Sequence, residues 1–263
     1  MNTPPDFPLI PGKTAGPANK PLPIQRRSVR ADELQSIPWL PLLLPAERAR
    51  AMEALQIGDA QPGDYVCRIG RPVTLWFGVV EGLLKMSTDN AQGNTITYAG
   101  LPPGGWFGEG TALKREPYRY NVQALRSSVV AGVPIDTFHW LLDYSIGFNR
   151  FVMKQLNERL GQFIAAREID RMSNLDTRVA RSLAALFNPV LYPGVGQVLR
   201  ITQQELAYLV GLSRQRVNEA LMALQAEGMI AVEYGGLRVL DLPALRSGVL
   251  PRVGRPGTEL LSK

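Results

Sequence analysis

The chain has 263 residues, 45% hydrophobic and 20% charged, a balance that supports a sizeable buried core and excludes wholesale disorder. One cysteine, Cys67, excludes an internal disulfide and a cysteine-ligated zinc or iron–sulfur centre, and one histidine, His139, excludes a multi-histidine metal site. Lys and Arg number 29 against 23 Asp and Glu, a formal net charge of +6, which favours anionic partners, nucleic acid first and membrane surface second.

Residues 1–32 read as a proline-rich tail. Seven of the first 23 residues are proline, which removes backbone donors and disfavours helix, and Arg26, Arg27 and Arg30 add positive charge near its end. No Lys/Arg start leads into a long apolar run, and the stretch 39–45 is far too short to cross a bilayer, so a cytoplasmic protein without membrane contact is expected. Between Leu34 and Leu55 the pattern is helical in two pieces. Ile37, Leu40 and Leu43 form one apolar stripe, and Pro45 opens a second helix that turns Ala49, Met52 and Leu55 inward.

Residues 56 to about 135 carry glycine every few positions. Between the glycines lie beta-prone pieces: 65–67, 75–77, 83–86, 95–98 and 129–131. Short strands with glycine turns predict a roll, barrel or sandwich rather than a doubly wound sheet. A proline-free helix is predicted over 146–172, with Phe148, Val152, Leu156, Leu160, Phe163 and Ile164 as an apolar stripe suited to pairing with a second copy. Asn174 begins another helix, 176–187, with Val179, Leu183 and Leu186 facing inward. His139, beside Trp140 and Leu141, reads as a packed residue rather than a ligand.

The strongest local signal lies in 200–240. Thr202 with Glu205 three residues on is a capping box, Gly211 ends the helix that follows, and Ser213 caps the next one, Arg214 to about Glu227. Val217, Leu221 and Leu224 mark that helix's buried face; Arg214, Gln215, Asn218 and Glu219 mark its outward face. Gly228 stops it, and a hairpin follows around Gly235-Gly236. The pattern is a winged helix-turn-helix, whose second helix places Arg, Gln and Asn donors where they can read base edges in a major groove.

The stretches "WFGEGTAL" (106–113), "LDTRVARSLAALF" (175–187) and "ITQQELAYLVGLSRQRVNEALMALQAEGMI" (201–230) resemble the Crp/Fnr family of bacterial transcription regulators over about residues 33–246. The resemblance implies an α+β chain: an N-terminal double-stranded, jelly-roll-like beta-roll, a long dimerisation helix and a C-terminal winged helix-turn-helix. The domains fall at 33–145, 146–172 and 173–246, with a tail at 247–263. It also implies a non-enzymatic regulator that works as a homodimer on double-stranded DNA with a roughly two-fold symmetric site, with RNA polymerase a further candidate partner.

Carried over by position, Ser213 matches a phosphate contact and Arg214 a guanine-reading arginine. Gln215 replaces the usual base-reading glutamate, and Glu219 replaces an arginine of many members; a glutamate cannot donate to guanine but can accept from cytosine, or instead pair with Arg216 three residues away. Arg216 is expected at phosphate, Thr202 and Gln203 near the backbone, Asn218 on the reading face and Arg238 on the wing. For the effector, Gly108 and Glu109, followed by Gly110, match the family's Gly-Glu pair. Tyr118 stands where arginine is expected and Arg119 where serine is expected. Phe163 and Ile164 stand where a Thr-Ser pair holds the base of cyclic AMP. No cofactor is expected. A cyclic nucleotide or cyclic dinucleotide is the candidate effector, and an effector-independent regulator with a degenerate pocket is the alternative.

Overall fold

The structure, a computed structural model, describes residues 29–89 and 95–248. The expected tails, 1–32 and 247–263, lie outside the described residues apart from 29–32 and 247–248. The described residues divide into two compact units, one within 29–159 with 190–194, the other 160–189 with 195–248.

The first unit opens with α1 (Ala31–Gln35), a 3-10 turn (Leu40–Leu42) and α2 (Pro45–Ala54), which Pro45 starts at the position where its missing N–H is no loss. Ile37, Leu40 and Leu43 are buried as expected. On α2, however, Ala49 and Met52 face solvent, and Ala51 with the following Leu55 is the buried pair, so the inward face is rotated from the expected one. The strands are β1 (Gln56–Ala60), β2 (Tyr65–Cys67), β3 (Leu75–Glu81), β4 (Leu84–Asp89), β5 (Thr95–Leu101), β6 (Trp106–Phe107), β7 (Asn121–Ala124) and β8 (Ser128–Pro134). They form two four-stranded sheets, ordered β1-β8-β3-β6 and β2-β7-β4-β5, with every pairing antiparallel. This is the expected roll. β1, β6 and β7, and two helices, α3 (Glu109–Lys114) and α4 (Ile135–Tyr144), come in addition to the expected pieces.

Aromatic packing ties the helices to the sheets. Trp39 meets Trp106 edge-on at 5.2 Å between ring centres, Trp76 lies 4.2 Å from Trp106, and Phe138 and Phe148 complete the cluster. Such pairs add to the large area each ring buries. Gly78 is required here, because a Cβ would sit 2.3 Å from the Trp106 ring.

The helix α5 (Ile146–Ile169) ends three residues before the expected boundary. Its expected single stripe is two faces. Phe148, Val152, Gln155 and Arg159 are buried, whereas Leu160 and Ile164 are 59% and 64% exposed. Ile146, Met153 and Leu160, spaced seven apart, are all exposed.

The second unit contains α6 (Leu175–Ala185), β9 (Val198–Leu199), α7 (Gln203–Val210), α8 (Arg214–Ala226), β10 (Ile230–Glu233), β11 (Gly236–Val239) and α9 (Leu242–Ser247). Asn174 caps α6 by accepting from the Asp176 and Thr177 N–H groups. Val179, Leu183, Leu186, Val217, Leu221 and Leu224 are buried, the residues the sequence marks as inward, and Leu206 and Val210 of α7 are buried with them. The hairpin of β10 and β11 turns at Tyr234-Gly235, Gly235 taking φ +75, and β9 adds a third strand to it.

Candidate nucleic-acid interface and effector cassette

Local chemistry sets the helix-turn-helix. Thr202 Oγ1 accepts from the Glu205 N–H at 3.1 Å, and Glu205 Oε2 accepts from the Thr202 N–H at 2.7 Å, which completes the capping box. Gly211 closes α7 in the left-handed region at φ +69, and Arg178 on α6 donates to the carbonyl at the C-terminal end of α7, Val210 O, at 2.8 Å. Ser213 Oγ accepts from the Arg216 N–H at 3.2 Å. The cap uses only the acceptor of that hydroxyl. Its O–H remains a donor beside the positive end of the α8 dipole, an arrangement suited to phosphate. Thr202 keeps its O–H donor for the same reason.

On the outer face of α8, Arg214 is exposed and makes no hydrogen bond or ion pair among the described residues. The other expected readers have partners. Gln215 Nε2 donates to Glu219 Oε1 at 3.3 Å, and Asn218 Oδ1 accepts from Gln203 Nε2 at 2.6 Å. Arg216, expected at phosphate, is half-buried and pairs with Asp176 at 2.6 Å and with Glu219 at 3.7 Å. Arg238 on β11 pairs with Glu233 across the hairpin.

The cassette of the first unit has a different character. Gly108 takes φ +87 and leads into α3, whose first residues are Glu109 and Gly110. Glu109 is buried and meets Arg159 of α5 at 3.4 Å. Arg159 is buried as well. It donates to Trp106 O at 2.7 Å and to Tyr192 Oη at 3.1 Å. Burial opposes the Arg159 charge, but Tyr192 and Glu109 outweigh it and raise its pKa, so the guanidinium stays protonated. Tyr118 is 5% exposed and donates to Leu75 O at 2.8 Å, beside the Cys67 thiol. Arg119 points the other way, 68% exposed and ion-paired to Glu116 at 2.9 Å. Tyr120 is half-buried near Gly108, where a Cβ would lie 3.4 Å from its hydroxyl. Burial pushes the Cys67 thiol and both tyrosine hydroxyls up, so all three are neutral at ordinary pH. His139 Nε2 lies 3.0 Å from Ala112 O, an ordinary packed partner. Among the described residues no group of three or more His, Cys, Asp or Glu is placed to hold a metal, and no helix is long and apolar enough to cross a membrane.

The cyclic nucleotide-binding domain family matches residues 59–145, and the Crp-like helix-turn-helix domain family matches 177–247. The transcriptional regulator SdrP of Thermus thermophilus is 31% identical over 176 residues, 65% of this chain and 81% of SdrP. The regulator LdrP of the same organism is 29% identical, over 67% of this chain and 88% of LdrP. The crystal structure of TTHA1359, a CRP/FNR-family transcriptional regulator also from Thermus thermophilus, superposes with a TM-score of 0.50 at 26% identity, covering 73% of this chain and 97% of that one. The chain belongs to the Crp/Fnr family of transcription regulators.

In this Crp/Fnr protein the expected effector residues come together only in part. Of the expected effector residues, the first unit brings Gly108, Glu109, Gly110 and Tyr118 into one neighbourhood and turns Arg119 outward; Phe163 belongs to the second unit and is 37% exposed. Sequence reasoning missed Arg159, Tyr120 and Tyr192. The available signal was Arg159 itself, a charge at the position on α5 one turn after Gln155, on the face that begins with Phe148 and Val152.

Proposed function

We propose that this protein is a homodimeric, sequence-specific DNA-binding transcription regulator, and that Arg214 reads guanine at the N-terminus of α8. The observation that carries the reading is the Arg214 guanidinium, exposed with unpaired donors beside the Ser213 cap, where its fork fits guanine O6 and N7. Dimerisation is supported by the exposed seven-residue repeat Ile146, Met153 and Leu160, with Ile164 beside it, an apolar seam of coiled-coil spacing. Ser213, Thr202 and Gln203 supply positioning contacts at the backbone. Arg216 and Arg238, held by acidic partners, serve to fix α8 and the wing more than to grip phosphate. The role is binding rather than catalysis, and its place is the cytoplasm.

The beta-roll is the natural seat of effector control, and its geometry limits the effector. Glu109 has Arg159 as its counter-ion, Tyr118 is turned inward to Leu75, and Arg119 lies on the surface. A cyclic nucleotide phosphate would therefore meet backbone N–H groups around Gly108 but no arginine fork. Cyclic AMP held in the familiar manner is disfavoured, and an effector of other chemistry, or none, is favoured.

Selection from random duplexes followed by measured binding tests the DNA reading. The wild type is expected to enrich a two-fold symmetric site, and Arg214→Ala to lose guanine at one position per half-site with about tenfold weaker binding. A variant that weakens all duplexes evenly would overturn the assignment to Arg214. For the effector, a thermal-shift series with cyclic mono- and dinucleotides is expected to give no shift with cyclic AMP. A cyclic AMP shift abolished by Arg119→Ala would overturn the reading.

A further inference from the structure

We propose that Glu219 is a specificity-determining residue whose carboxylate selects cytosine at one position of each DNA half-site, about two base pairs from the guanine under Arg214. The inference rests on the DNA-binding reading above and adds to it a residue of the opposite charge.

The outer face of α8 is made by Arg214, Gln215, Asn218, Glu219 and Met222, with Val217, Ala220, Leu221 and Leu224 turned inward. Glu219 stands in the middle of that face, its side chain 52% exposed. A bare carboxylate on a surface that meets a polyanion is repelled by it. Here the charge is countered and the group is braced. Gln215 Nε2 donates to one carboxylate oxygen at 3.3 Å, Arg216 Nη1 lies 3.7 Å from the other, and Arg216 is fixed in turn by Asp176 on α6 at 2.6 Å. Each oxygen keeps a lone pair for a further donor.

An ionised carboxylate only accepts. Guanine offers the major groove two acceptors, thymine an acceptor and a methyl group, and adenine a donor beside the N7 acceptor; cytosine offers the N4 amino donor with no acceptor beside it. Cytosine is therefore the one base edge that gives a hydrogen bond without a facing lone pair. Arg214 and Glu219 are five residues apart, about 7.5 Å along the helix. With base pairs about 3.4 Å apart, that spacing places the two readings about two base pairs from each other.

The test is selection from random duplexes with the full chain, in wild type, Glu219→Ala and Glu219→Gln, followed by dissociation constants at one fixed salt concentration. Wild type is expected to prefer the cytosine duplex about tenfold over its substitutions at that position. Glu219→Ala brings the ratio close to one and leaves the Arg214 guanine and the remaining positions enriched. Glu219→Gln, whose amide suits adenine N6 and N7, moves the preference towards adenine. If Glu219→Ala enriches the same base as wild type at every position, the proposal is overturned and the DNA-binding reading stands. If the wild type enriches no sequence, both fall.

Discussion

Arg159 shows how a single residue redefines a familiar turn. An isolated buried guanidinium would be costly, but this one has Glu109, the Tyr192 hydroxyl and the Trp106 carbonyl around it. The same contacts give the buried Glu109 carboxylate its counter-ion. Removing one partner leaves the other buried and uncompensated, so Arg159→Met is expected to cost the first unit about 3 kcal/mol, and Glu109→Gln combined with Arg159→Met to restore part of it. Urea unfolding followed by tryptophan fluorescence measures this selectively, because Trp39, Trp76, Trp106 and Trp140 all belong to that unit. An additive double variant would show the two groups to be uncoupled.

Cys67, Tyr118 and Tyr120 make the same unit sensitive to alkali. Burial raises all three above their ordinary values, so the folded state keeps protons that the unfolded chain releases. A raised folded-state pKa gives stability that is fully present below the unfolded value and lost as pH climbs past it. The loss begins near pH 9.0, where an unfolded thiol ionises, and steepens near 10.0 with the tyrosines. Between pH 8.5 and 10 the wild type is expected to lose about 1 kcal/mol more than Cys67→Ser, in the same fluorescence-monitored unfolding. Equal losses would show that the thiol is not protected.

At the scale of elements, what the sequence made legible was local. The caps at Thr202, Ser213 and Asn174, the stop at Gly211 and the inward faces of α6 and α8 each depend on residues within a turn or two. The roll was legible as a class from its glycines and beta-prone pieces. β6 and β9, two residues each, were not, because so short a strand has no period and exists only through a partner far along the chain, such as Gly78 for Trp106 and Leu237 for Leu199. The α2 face was misplaced because Ala51 and Met52 are both acceptable inward residues by pattern, and only the packing chooses between them. The outward positions of α8 were legible from its spacing, as was a partner one turn away such as Glu219 for Arg216, but the Asp176 partner was not. Asp176 lies 40 residues from Arg216, and no periodicity links them.

At the scale of the whole molecule, α5 carries the argument for two copies. A helix that only covered the roll would need apolar residues on the face of Phe148 and Val152 and polar ones elsewhere. Instead Ile146, Met153, Leu160 and Ile164 stand exposed on a second face, more apolar surface than a lone chain gains by showing to water. Seven-residue spacing keeps such residues on one seam of a paired helix, where each Leu160 would meet its counterpart near the shared axis. Leu160→Glu therefore sets two like charges against each other in an apolar seam and leaves each single chain's core untouched. The dimer dissociation constant is expected to rise by at least about 100-fold in sedimentation, with little change in the thermal midpoint of the first unit. Binding to a duplex with two half-sites should fall by a similar factor, since the second contact is no longer tethered to the first, and binding to one half-site should hardly change. A Leu160→Glu chain that remains dimeric would place the pairing surface elsewhere, and one that binds both duplexes as the wild type does would show that pairing contributes nothing to DNA recognition.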